Sequence, residues 1–523
     1  MSMVKKKIER AIQSAVQMLS LDDSSTRLER PSDDTHGDYA TSIALSCAKK
    51  SGKNPRELAG EIVSEIKKQN VPFIAKMEIA GPGFINFFLT DEAVEKNLTT
   101  TLNTLENGFD FKKGEKIHIE FISANPTGAL HIGHGRGAFY GDVLANVFTY
   151  AGAEVTREYY INDSRESNQI KELGKTALGK GEQYKTEKIT QLIKESNFSG
   201  MDEAEAGFSL AAKVQESNKN FITEKLNIRF DEWYSEDARL RATWANDATL
   251  ARLKEYTYEK DGAVWLKTSE YGDDEDRVVV RSDGTKSYFI SDIAYHDDKF
   301  KRGFDIAVDV WGADHHGHVK RMQAVKKMLG WKGNLKVFIT QLVSLKEGDE
   351  IKKMSKRAGN VILLEDFVDE FGIDVVRWFF SEKTLHTHME FDAALAKEQS
   401  DKNPVYYAQY AHARISSIKR NAEKITRDNT QIRDTFSTPS ARALANVITE
   451  FPEIVLDIAE TYHVHALPAY AYRLATAFSA FYHDVRILED DVCHEGARAL
   501  AESAGNILAK TFSLLGISAP ERM

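Results

Sequence analysis

The sequence predicts an α/β protein: a Rossmann-type, doubly wound parallel sheet with an insertion, preceded by a small α/β domain and followed by an all-helical bundle. Three observations predict this. EKIHIEFIS (Glu115 to Ser123) is short, alternating and β-branched, the next stretch is glycine-rich, AFYGDVLANVFTYAG carries apolar residues at helical spacing, and AEVTREYYIND again reads as a strand. FDIAVDVWGADHHGHVKRMQAVKKML repeats strand, loop and helix further on. From about Asp392 the apolar pattern is helical throughout. A βαβ unit requires a parallel sheet, whose site lies at the carboxyl ends of the strands.

At 523 residues the chain holds roughly three domains of about 100–200 residues each. Its 42% hydrophobic and 28% charged residues are ordinary for a soluble globular protein, and no run of ~18 apolar residues predicts a membrane span or a membrane partner. The start, MSMVKKKIERAIQ, is basic but lacks the apolar core of a secretory signal. Cys47 and Cys493 are too few for a disulfide framework or a cysteine zinc site. Together these features point to the cytoplasm. A net charge of −10 argues against a general nucleic-acid binder, though it allows a local basic groove.

Residues 1–110 read as the small α/β domain. Ile8, Ile12, Ala15, Val16 and Leu19 form one helical stripe. Asn54 and Pro55 open a helix as N-cap and first residue. KMEIAGPGFINFFLT gives two strands around a Gly-Pro-Gly turn. HGDYA is either a plain capping loop or a partner contact.

A central α/β domain is expected over 111–395. Its centre is Ala124 to Gly137, ANPTGALHIGHGRG, where a strand passes into a helix. Backbone N–H groups and the dipole at a helix start attract anions. Gly128, Gly133, Gly135 and Gly137 are expected to let a ligand approach the backbone, and His131 and His134 can donate hydrogen bonds to phosphate. The spacing fits neither a dinucleotide fingerprint nor a Walker loop. Residues from about 165 to 265 read as an insertion that ends near FDEWYSEDARL. The Asp283-Gly284 turn fits a hairpin. Tyr288 and Asp292 share a face if their segment is helical. His315, His316 and His318 form a polar loop ahead of a helix; a metal site there lacks thiols and spaced partners. NLKVFITQLVSL reads as a strand pair. Lys352 to Arg357, the 352–357 loop, sets four cations around Met354 and Ser355 and could close over a triphosphate. In the bundle, over 396–523, aromatics interleave with cations at Tyr406, Tyr407, Tyr410 and Arg414, which leaves RNA contact open beside a core role.

His131-Ile132-Gly133-His134 with Lys353-Met354-Ser355-Lys356 resembles the class I aminoacyl-tRNA synthetases. IEFISANPTGALHIGHGRGAFYGD, REYYINDSRESNQI, DEWYSED, YFISDIAYHDDKF, VWGADHHGH and LLGISAPERM are similar to bacterial arginyl-tRNA synthetases over nearly the whole chain.

The resemblance implies ligation of L-arginine to its tRNA through arginyl-adenylate, with ATP as substrate, Mg²⁺ as its companion and no covalent enzyme intermediate. It implies catalytic roles for His131, His134, Lys353 and Lys356, and ATP contacts that add Gly133, Gly137 and Ser355. It places Glu120, Ser123 and Asn125 at the amino-acid group, and Tyr288, Asp292 and Glu236 at the guanidinium. His315 stands where many relatives have glutamine. The first 110 residues would touch the tRNA elbow and the helical domain would read the anticodon; the default state is a monomer. A nucleotidyltransferase without tRNA, or a non-catalytic RNA-binding relative, are the competing readings. The helical domain speaks against the first and the intact motifs against the second.

Overall fold

A computed structural model of the chain describes residues 3–21, 28–31, 33–347, 350–353 and 362–523. Five parallel strands form its central sheet: β1 (Lys116–Glu120), β2 (Glu154–Ile161), β3 (Glu232–Ser235), β4 (Ile306–Gly312) and β5 (Asn334–Thr340). Their spatial order is 5-4-1-2-3. The order reverses between β1 and β4, so a crevice opens outside their carboxyl ends. The helix Ile132–Tyr150 links β1 to β2, and His318–Leu329 links β4 to β5. The first of these lies flush on the sheet, because a Cβ at Gly141 would stand 2.3 Å from the Phe121 ring.

FDEWYSEDARL supplies more than the end of an insertion: Glu232–Ser235 is the edge strand of the sheet, paired with β2. Helices Asn168–Ala177, Glu187–Lys194 and Glu203–Glu224 stand before it and close their own apolar cluster around Ile170, Leu173 and Leu210. The polar spacing around Glu232–Ser235 hides this short strand. NLKVFITQLVSL also divides differently from its reading as a pair. Asn334–Thr340 joins the central sheet, whereas Val343–Glu347 pairs with Glu350–Lys353 and Met389–Asp392 in a separate sheet. Arg281 and Thr285 close the Asp283-Gly284 turn by a backbone hydrogen bond.

In the N-terminal domain, Asn54 caps the helix Pro55–Lys68 by accepting from the Arg56 and Glu57 amides. Strands Ile74–Ala80 and Phe84–Leu89 pair around the Gly-Pro-Gly turn. HGDYA packs on the C-terminal helices of the same chain. Asp38 accepts from Asn446 Nδ2 at 2.7 Å and pairs with Arg442, both on the helix Pro439–Thr449. Glu453 receives Arg30 and Lys5, each at 3.0 Å, and these cations hold its carboxyl well below the usual range against burial. The C-terminal region is helical, with one small three-stranded sheet of two-residue strands at 426–427, 488–489 and 492–493. Among the described residues, no helix is long and apolar enough to cross a membrane.

Candidate active site

A cavity of about 720 Å³ opens at the carboxyl ends of β1 and β4. Glu120, Ser123, Asn125, His131, Gly133, His134, Glu236, Tyr288, Asp292 and His315 all line it. These ten are among the residues expected at the site, drawn from five separate stretches of chain.

The floor begins as a problem in electrostatics. Register sets Asp309, Glu120, Glu158 and Glu232 side by side across four strands. Like charges in such a row repel. The helix Tyr288–Lys301 answers with one face at i, i+1, i+4 and i+7. Lys299, fully buried, reaches Glu120 at 2.6 Å and Asp309 at 2.7 Å. Arg302, just past the helix end, reaches Glu158 at 2.6 Å, and the Tyr295 hydroxyl donates to the same carboxylate. His296 sets Nε2 2.8 Å from Asp309 and Nδ1 2.7 Å from the Asp292 carbonyl. Glu120 therefore meets the cavity as a held, compensated carboxylate.

Asp292 and Glu236 complete an acidic wall. Burial pushes Asp292 up to about 7, against the attraction of His296 and with further repulsion from Glu236 and Glu120. Burial also raises Glu236, opposed by Arg241, whose Nη2 lies 3.1 Å from Glu236 Oε1. One Glu236 oxygen is thus already engaged by a guanidinium of the chain. Tyr288, 48% exposed, holds its hydroxyl 3.2 Å from the Asn168 amide.

Ile122 and Ser123 leave β1 with φ of 68° and 38°. A β-branched residue in the left-handed region is rare, and such strain costs about 1–3 kcal/mol per residue. The bend is held by the Ser123 hydroxyl, which accepts from the Tyr160 amide at 3.1 Å, and by Tyr159, whose hydroxyl bridges the Ala124 backbone. It releases Asn125 into the cavity.

His131 caps the helix Ile132–Tyr150. Its amide donates to His134 Nδ1 at 3.1 Å, and the rings stack with centroids 3.8 Å apart. An accepting Nδ1 leaves Nε2–H as the donor of a neutral His134. Two expected glycine roles change. A Cβ at Gly135 would meet Leu364 and Phe380 at 3.1 Å, and one at Gly137 would meet Val310 at 3.4 Å. Both glycines serve packing of the helix, and neither lines the cavity.

The segment that follows the second motif meets the first through backbone. Ile132 donates to Ile362 at 3.1 Å, Leu364 donates to Leu130 at 2.9 Å, and His131 bridges Leu363. The Lys353 backbone ends the strand Glu350–Lys353. Ser355 and Lys356 lie outside the described residues.

Sequence reasoning missed Tyr160, Asn162, Gln169, Trp311 and Gln341 in the lining. Asn162, Trp311 and Gln341 sit at or just past strand carboxyl ends, which is the signal that could have found them. His318, expected only in a polar loop ahead of a helix, sets its Nδ1 3.8 Å from Asp292. Among the described residues, no group of three His, Cys, Asp or Glu side chains could hold a metal ion.

Three family models match: the arginyl tRNA synthetase N terminal domain over 2–89, the class I (R) tRNA synthetase catalytic domain over 174–418, and the DALR anticodon binding domain over 408–523. The arginine–tRNA ligase of Listeria welshimeri is 42% identical across 99% of this chain and 98% of its own length. The chain belongs to the arginyl-tRNA synthetase family. Another arginyl-tRNA synthetase relative, the arginine–tRNA ligase of Bacillus subtilis, is 40% identical across 95% of this chain and 94% of its own. The arginyl-tRNA synthetase structure from Thermus thermophilus, at 23% identity, covers all of both chains with a TM-score of 0.79 and so shares the fold. The catalytic-domain model begins after the His131–His134 stretch, which the near-full-length relatives span.

Proposed function

We propose that this chain attaches L-arginine to its cognate tRNA at the expense of ATP, through arginyl-adenylate, releasing AMP and pyrophosphate. One observation carries the reading: a single cavity joins a histidine-bearing helix start, suited to phosphate, with an acidic wall suited to a guanidinium. Lysine lacks the planar fork that a carboxylate can grip twice.

In this reading His131 and His134 stabilise charge developing on the α-phosphate, with Gly133 letting the nucleotide approach. Lys353 and Lys356 bind the departing pyrophosphate, and Ser355 belongs to the same loop. Gly137 acts on ATP only through the position of its helix. Glu120, Ser123 and Asn125 hold the amino-acid group of arginine. Asp292 and Tyr288 take the guanidinium, with Glu236 as a second contact once Arg241 yields, and His315 lies beside them. Catalysis is by positioning and electrostatics. Mg²⁺ would accompany ATP and need not have a dedicated protein cage.

Residues 1–110 contact the tRNA elbow, 111–395 carry catalysis, and 396–523 read the anticodon. Exposed Tyr410 and Tyr482 flank the Arg414 guanidinium at 4.7 and 5.0 Å, a surface suited to stacking on unpaired bases. We assign the chain to the cytoplasm as a monomer, which sedimentation of the purified protein tests.

Pyrophosphate exchange with ATP and each of the twenty amino acids, with and without total tRNA, tests the function. Exchange with arginine alone among them is expected. Exchange with another amino acid would overturn the specificity, and none under any condition would overturn the activity.

A further inference from the structure

Arg136 lies one turn into the His131–Tyr150 helix, in the GRG of the motif, and is fully buried. Among the described residues no carboxylate pairs with it; burial alone lowers its pKa, to about 10. An uncompensated buried cation is costly, so its partners matter. All of them are backbone carbonyls. Nη1 donates to Thr387 and, at 3.4 Å, to Gln341; Nη2 donates to Thr384.

Those carbonyls sit at one junction. Gln341 follows β5 and lines the cavity. Its amide donates to Leu385, and the Met389 amide donates to Leu342. Met389–Asp392 then pairs in parallel with Val343–Glu347, the strand that turns back into Glu350–Lys353 and so leads to the second motif. On the far side of that motif, Ile362 and Leu364 are tied to Leu130 and Ile132. Both flanks of the lysine-rich segment are therefore anchored to the helix that carries His131 and His134. The downstream anchor is backbone pairing; the upstream anchor is the fork of one side chain.

We infer that Arg136 is a positioning residue for ATP: it locks the histidine-bearing helix to the 384–387 turn and, through it, to the root of the hairpin formed by Val343–Glu347 and Glu350–Lys353, so the phosphate corner keeps its place against that hairpin. The inference rests on the proposed function. The fork explains the choice of arginine, since two carbonyls of one turn, Thr384 and Thr387, are reached at once in fixed geometry.

The test uses the full-length chain, Arg136→Lys and Arg136→Met, in arginine-dependent pyrophosphate exchange with tRNA present. Loss of about 1 Å in placement costs about 100-fold in rate. Arg136→Met is expected to lose about that much in kcat per active site and to raise KM for ATP, with KM for arginine within about twofold. Arg136→Lys is expected to recover part of both. An Arg136→Met enzyme with wild-type kcat and KM for ATP, whatever its melting temperature, would overturn the inference. If Arg136→Met does not fold, Arg136→Lys decides, because it keeps the charge and loses the fork: unchanged KM for ATP refutes positioning. Hydrogen exchange of the wild type gives a further arm. ATP should slow exchange over 342–345 and 384–389, and no slowing there would also overturn it. Failure of the wild type itself to exchange with arginine would instead refute the proposed function.

Discussion

The acidic wall and the histidine-bearing helix start share one cavity but are built on opposite plans. The wall is a dense charge network settled within the protein. Lys299, Arg302, His296 and Arg241 answer Glu120, Asp309, Glu158 and Glu236 through direct contacts of 2.6–3.1 Å. The helix start is held mainly by backbone, by ring stacking and by a buried arginine whose partners are carbonyls. A cationic substrate meets carboxylates that are already oriented, so little reorganisation remains at binding. An anionic substrate would meet backbone amides and a helix dipole, and so would supply the countercharge itself.

Breaking the wall from within is expected to have the largest effect. Lys299→Met leaves Glu120 and Asp309 facing each other without their shared cation, and removing one partner of a buried pair costs about 3–5 kcal/mol. Urea unfolding should show that loss. A variant as stable as wild type would mean the row is not held by Lys299. At the phosphate corner, His134→Ala should leave the fold intact and slow arginyl-adenylate formation about 100- to 1,000-fold, the usual effect of losing one aimed donor. Single-turnover kinetics read it, and unchanged rates would remove His134 from the site.

Asp292→Ala sharpens the contrast. It should weaken arginine use about 10- to 100-fold in kcat/KM while KM for ATP moves little, because one charged pair is lost from a specific contact. Equal loss for both substrates would refute the assignment. The smallest effect is expected from pH. Asp292 sits near 7 in the free site, so a proton must leave before the carboxylate grips a guanidinium. Arginine affinity should be flat above about 7 and fall up to about tenfold per unit below it. ATP affinity measured over the same range checks whether the dependence belongs to the wall alone. A flat arginine profile from pH 6 to 8 would contradict the raised carboxyl.

Much of this was legible in one dimension because the phosphate corner is local. A strand, a glycine-rich turn, two histidines and a helix are contiguous, and period-2 and period-3.6 patterns report them directly. The Tyr288–Asp292 spacing was legible for the same reason. The strand at Glu232–Ser235 was not, since four residues in a polar stretch give no usable period. Nor was the split of NLKVFITQLVSL between two sheets, because pairing depends on which distant strand supplies the partner.

The sequence by itself determined the βαβ core, the helical C-terminal region and the histidine-bearing helix start, because each is set by local spacing and side-chain chemistry; the acidic residues of the cavity were legible only through the resemblance of their motifs. Only the tertiary structure decided that Asp309, Glu120, Glu158 and Glu232 form one row, that Lys299 neutralises two of them, and that Arg136 clasps a turn some 250 positions away. Register and burial across distant segments set those contacts, and neither quantity is written in the order of neighbouring residues.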